Sequence, residues 1–121
     1  MKTKLVDSEL KVMNVIWDEG EPTAKHISDV LNKSLGWNIN TTYTLIKRCI
    51  KKGAVERIEP NFVCRALISR DEVQKEAAAE LVEKIFNGSA DKLFAALLNS
   101  KTLSDGEIER LKKLVKDLDG D

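Results

Sequence analysis

The sequence predicts a mostly α-helical protein, with a winged helix-turn-helix domain over residues 1–70 and a C-terminal helical dimerisation arm over residues 71–121. Three observations predict it. Three short amphipathic patterns with brief turns between them occupy the first fifty or so residues, as in a helix-turn-helix. The period then shortens towards two in a pair of β-prone runs around a proline turn, the pattern of a hairpin wing. Three further amphipathic segments, each opened by a capping residue, fill the remainder.

In chain order, Ser8 is expected to cap a first helix whose stripe is Leu10, Met13, Ile16 and Trp17 and whose stop is Gly20. Glu21-Pro22 breaks the chain, because proline cannot continue the preceding turn. Thr23 caps a second helix carrying Ala24, Ile27, Val30 and Leu31, and residues 32–36 lead to a third. Asn38 is the expected N-cap of that third helix, and Gly53 its left-handed stop. The wing follows as residues 54–58 and 62–67 around Glu59-Pro60-Asn61. Ser69 with Glu72 forms a capping box for a long helix that stops at Asn87-Gly88. Ser89 caps a shorter helix, and Ser104 with Glu107 opens the last.

The third helix carries the functional signal. Thr42, Leu45, Ile46, Cys49 and Ile50 recur at three- and four-residue spacing and form its apolar stripe. Its other face presents Asn40, Thr41, Tyr43, Thr44, Lys47, Arg48, Lys51 and Lys52, and no Asp or Glu occurs between Asp29 and Glu56. Short polar side chains near a helix N-terminus reach base edges and phosphates, while Lys and Arg neutralise the backbone. The candidate DNA-contacting residues are therefore Asn38, Asn40, Thr41, Thr42, Tyr43, Thr44, Lys47 and Arg48. The competing reading is an ordinary solvated helix, in which Lys51 and Lys52 merely complement the negative end of the helix dipole.

The last three helices total about fifty residues, too few to enclose a core alone. Their apolar positions Val73, Ala77, Leu81, Ile85, Leu93, Leu97, Ile108, Leu111, Val115 and Leu118 are the candidate dimerisation surface, and a second copy of the chain is the expected cover.

Composition narrows the classes. The formal net charge is zero, but residues 1–69 hold eleven Lys/Arg against eight Asp/Glu and residues 70–121 hold nine against twelve. A basic front and an acidic back suit a chain that meets a polyanion with one end. With 42% apolar residues, no signal peptide and no long apolar run, a cytoplasmic protein without membrane contact is expected. Cys49 and Cys64 lack metal-type spacing and read as core filler, and the single His26 reads as a surface residue. No metal site or cofactor is expected. With no nucleophile–base pair and no phosphate loop, neither is an enzyme. Trp17 reads as core and Trp37 as the anchor of the turn before the third helix.

The residues quoted so far, in order, resemble the penicillinase-repressor family (BlaI/MecI type). Asp7 to Trp17 and then Gly20-Glu21-Pro22-Thr23-Ala24 match its opening. Trp37, Thr41, Thr44-Leu45-Ile46, Arg48 and Lys51-Lys52-Gly53 match its recognition helix. Phe62-Val63, Leu67-Ile68-Ser69-Arg70, Phe86-Asn87-Gly88-Ser89 and Leu103-Ser104 with Glu107-Ile108 carry the similarity almost to the C-terminus. The resemblance implies a homodimeric winged-helix repressor that binds a double-stranded inverted-repeat operator through one winged helix per copy. In members that respond to β-lactams it also implies a membrane sensor-linked protease as partner, which cuts the arm at an Asn-Phe bond. Here residues 99–102 read Asn-Ser-Lys-Thr. Other departures are the short acidic wing Ile58-Glu59-Pro60-Asn61, Tyr43 in place of a basic or long polar residue, and a C-terminus without the cysteine-rich motif of the copper-responsive branch. The acidic wing and zero net charge are what a rival reading would show, a winged-helix protein-interaction module that does not read DNA.

Overall fold

A computed structural model describes residues 4–119, with side chains described through residue 117. The chain divides into two compact units, Met1–Glu76 and Ala77–Asp121, the division falling inside the fourth helix.

The first unit holds α1 (Asp7–Glu19), α2 (Ala24–Leu35), α3 (Ile39–Lys51), β1 (Val55–Ile58), β2 (Val63–Ala66) and the opening of α4 (Arg70–Ile85). Local chemistry sets most of these boundaries. Thr23 accepts from the His26 N–H at 3.1 Å, and Asn38 accepts from the Thr41 N–H at 2.9 Å. Each thereby satisfies a donor that the first helical turn leaves orphaned. Past the last turn of α3, Gly53 adopts φ 81°, a left-handed conformation that a side chain would disfavour.

The expected cap of α1 is corrected. Ser8 lies inside the first turn, and Val6, which has no side-chain acceptor, occupies the N-cap. The Glu9 carboxylate instead reaches back to the Val6 N–H at 2.9 Å. The helix starts where this places Glu9 third, since only from there can a carboxylate meet the N-cap amide.

The strands pair antiparallel, Val55 with Ala66 through Ile58 with Val63, and are joined through a cis Glu59–Pro60 peptide. An isolated bridge from Thr23 to Val63, with Cys64 N–H donating to Pro22 O at 2.8 Å and Ala24 N–H to Phe62 O at 2.9 Å, fastens the hairpin to the start of α2. Val12, Met13, Ile16, Ile27, Ile46, Cys49 and Cys64 are fully buried together beneath these elements. Burying each large aliphatic side chain contributes roughly 1.5–3 kcal/mol, which is what fixes α3 in place. Trp17 packs against the edge of this core and donates Nε1–H to Ile68 O at 3.0 Å. Arg70 reaches the same corner, bonding Asp18 at 2.6 Å with its Cζ 5.4 Å from the Trp17 ring centroid.

The second unit contains the rest of α4, then α5 (Ala90–Asn99) and α6 (Asp105–Asp119). The two expected capping boxes form. Ser69 Oγ accepts from Glu72 N–H at 3.0 Å and Glu72 returns to Ser69 N–H at 3.1 Å; Ser104 and Glu107 do the same at 3.2 and 2.9 Å. Asn87 and Gly88, at φ 50° and 82°, end α4, and Gly88 N–H closes back on Val82 O at 2.9 Å. No residue of α4 or α5 is buried.

Candidate nucleic-acid interface

Helix α3 presents its outer face as a row of uncommitted side chains. Asn40, Thr41, Thr44, Lys47, Arg48 and Lys51 are exposed, and among the described residues none of these cations forms an ion pair. Thirteen residues make a rod about 20 Å long, which fits a major groove about 12 Å wide. Asn38 is also exposed, but its side-chain oxygen is occupied by the cap.

Two of the expected contact residues behave differently. Thr42 is corrected: it is fully buried beside Leu45, Ile46 and Cys49, so no atom of its side chain reaches a ligand on the outer face. Its place on the apolar stripe decided this. Tyr43 is half-buried, its ring meeting Phe62 edge-on at 5.8 Å and 88°.

Distance in sequence hid Ser8 from the site and Glu9 from the frame behind it. Ser8, at the start of α1, and Trp37, before α3, line an open groove with Asn40, Thr41, Thr44 and Arg48. Trp37 is anchored as expected, its carbonyl accepting from Asn32 Nδ2 at 3.0 Å. Glu9 lies 1% exposed behind the end of α3, where the Lys52 ammonium meets it at 2.6 Å. Burial alone would raise the Glu9 pKa. Hydrogen bonds from Lys52 and the Val6 amide outweigh it and hold the carboxyl below its ordinary 4.5. Lys52 therefore belongs to the frame that holds α3, unlike Lys47, Arg48 and Lys51.

The wing, acidic only at its Glu59 turn, is neutral over its whole length. Across residues 55–66, Glu56 and Glu59 balance Arg57 and Arg65, and Arg65 bonds Glu56 at 2.5 Å while Arg57 bonds Glu59. Cys49 and Cys64 are raised by burial to about 12 and about 11, so both remain unreactive thiols near neutral pH. His26 sits on the surface against Glu19 at 2.5 Å. Among the described residues no group of three or more His, Cys, Asp or Glu could hold a metal ion, and no helix is long and apolar enough to cross a membrane.

A winged helix with a polar-then-basic recognition face narrows the family to DNA-binding regulators, and the match along residues 5–117 decides it. The chain belongs to the penicillinase repressor family. The methicillin resistance regulatory protein MecI of Mammaliicoccus sciuri is 26% identical over 114 residues, 93% of each chain. The DNA binding domain of the repressor BlaI, solved in solution, is 32% identical with a TM-score of 0.54, over 60% of this chain and 93% of that one. Bacillus licheniformis BlaI in its monomeric form, solved in complex with the blaP half-operator, is 31% identical with a TM-score of 0.53, over 59% and 90%.

In this penicillinase-repressor chain the candidate dimerisation residues fall on three helices. Val73, Leu93, Leu97, Ile108 and Leu111 are half-buried, while Ala77, Leu81, Ile85 and Val115 are exposed. The side chain of Leu118 lies outside the described residues. Phe94, Leu98 and Leu114 add exposed apolar surface at 44%, 51% and 58%.

Proposed function

We propose that this chain is a homodimeric, sequence-specific repressor that places α3 of each copy in the major groove of an inverted-repeat operator. The observation that carries the reading is the outer face of α3, where Asn40, Thr41 and Thr44 stand ahead of the unpaired cations Lys47 and Arg48 with no carboxylate on the helix. The BlaI relative bound to a half-operator supports the same docking, one winged helix per half-site. Residues 1–70 are the reading domain and residues 71–121 the arm, whose exposed Ile85, Leu98, Leu114 and Val115 are covered by the partner copy.

Repression ends when the arm is cut. Joining two weak half-site contacts raises overall affinity by roughly 10²–10⁴, so separating them releases DNA without touching the interface. The short helix α5 and residues 99–102 at its end, exposed ahead of α6, are the region best placed for a protease linked to a membrane sensor, one that accepts a bond other than Asn-Phe. Genes of the β-lactam-resistance type are the proposed targets, by kinship with MecI.

A salt titration of duplex binding tests the reading. Log affinity should fall steeply with log salt, by about 0.9 per phosphate neutralised. Lys47→Ala or Arg48→Ala should each flatten the slope by about one contact, and Thr41→Ala or Thr44→Ala should narrow the gap between operator and random DNA. Binding that is absent or indifferent to salt would instead identify a protein-interaction module.

A further inference from the structure

We propose that Phe62 is a positioning residue for sequence readout, so that the wing acts on DNA by holding the Tyr43 ring and makes no net phosphate contact of its own. This rests on the docking of α3 proposed above. Phe62 is a non-glycine residue with φ 51°, a left-handed conformation that L side chains adopt only when the surroundings impose it. Here the surroundings are explicit. The Phe62 carbonyl accepts from Ala24 N–H at 2.9 Å, and the next residue, Val63, bridges to Thr23. The wing tip is thereby fastened to the helix that precedes α3.

What the strained backbone achieves is the placement of one ring. Arg57 lies over the Phe62 face, its Cζ 3.7 Å from the centroid, and Tyr43 meets the same ring edge-on. Edge-to-face packing fixes orientation as well as distance, because the positive edge of one ring seeks the negative face of the other. Tyr43 lies in the second turn of α3, three residues after Asn40 and one before Thr44, and its hydroxyl forms no hydrogen bond among the described residues. A held phenol presents one donor, one acceptor and an apolar edge, the chemistry of a major-groove base contact. Within the wing, Arg57 and Arg65 are paired with Glu59 and Glu56, so neither is an uncommitted phosphate partner like Lys47 or Arg48.

Tyr43 is the single tyrosine, so its ring protons report on this contact without ambiguity. The probe is a duplex that the wild-type protein selects from a random pool, set against a scrambled duplex. Phe62→Asn removes the ring yet tolerates left-handed backbone. It should move the Tyr43 resonances, lower discrimination about five- to tenfold and leave the salt slope unchanged. Phe62→Tyr should restore both readings, and Tyr43→Ala should add no further loss in the Phe62→Asn background. Should Phe62→Asn unfold, Phe62→Leu gives the same measurements. Unchanged discrimination, a slope flattened by one contact, or additive losses would each overturn the proposal while DNA binding stands. A wild-type protein that selects no duplex would overturn both.

Discussion

Thr42 and Thr44 stand two positions apart on α3, one fully buried and the other exposed. The Thr42 hydroxyl lies in the core with no hydrogen-bond partner among the described residues, and such a group costs roughly 1–3 kcal/mol. Thr42→Val, which keeps the branched shape, is expected to raise stability by about 1 kcal/mol in a thermal melt and to leave DNA affinity unchanged. Thr44→Val should do the reverse, with an unmoved melt and poorer discrimination. Glu9 and Lys52 make a second test at this scale. Lys52→Met leaves the buried Glu9 carboxylate with the Val6 amide alone and should cost about 1–2 kcal/mol. Glu9 has a folded pKa below its unfolded value, so its stabilisation is complete above 4.5 and is lost as pH falls through the lower folded value. The wild-type melting temperature should therefore drop from about pH 5 downward, and Glu9→Gln should flatten that part of the curve. Their pairing is not legible in the sequence, because 43 positions separate them and contact across that gap is a property of packing.

Elements begin where their caps say, and a cap can be separated from a contact. Asn38 holds the start of α3, and Asp caps a helix about as well while suiting the positive end of the dipole. Asn38→Asp is expected to keep or slightly raise the melting temperature while lowering affinity for every duplex, because it adds a negative charge to a helix that has none. Asn38→Ala should instead cost about 1 kcal/mol of stability. Equal loss of DNA affinity in the two variants would show that the cap, and not charge, governs binding. The same local rules made Thr23, Ser69 with Glu72, Ser89, and Ser104 with Glu107 legible as helix starts. Ser8 misled because a capping residue and a first-turn residue look alike until the chain around Glu9 is folded.

At the scale of the whole molecule, the proposed homodimer rests on the exposed apolar side chains of α4, α5 and α6. Ile85 and Val115 are 66% and 55% exposed, and no residue of α4 or α5 is buried. Leu111→Glu with Val115→Glu is expected to give a monomer in sedimentation at micromolar concentration, with the winged helix still folded. A chain ending at Glu76, the limit of the first compact unit, should bind a half-site weakly and lose the concentration dependence of the intact protein. If that shortened chain bound the full operator as tightly, valency would not be the switch.

Periodicity and capping are local, so the sequence by itself determined six helices, a hairpin after the third, and the polar-then-basic face of α3. Each depends on residues within about four positions of one another, a range at which side-chain chemistry acts before any tertiary contact forms. Tertiary structure decided which face of the recognition helix is committed. It tied Lys52 to Glu9, brought Ser8 to the groove, and set Phe62 against Tyr43 across 19 positions of sequence. Those partners come from different elements, and no local pattern encodes them. They follow only from the burial of one shared core, which brings the start of α1 and the wing against the same helix.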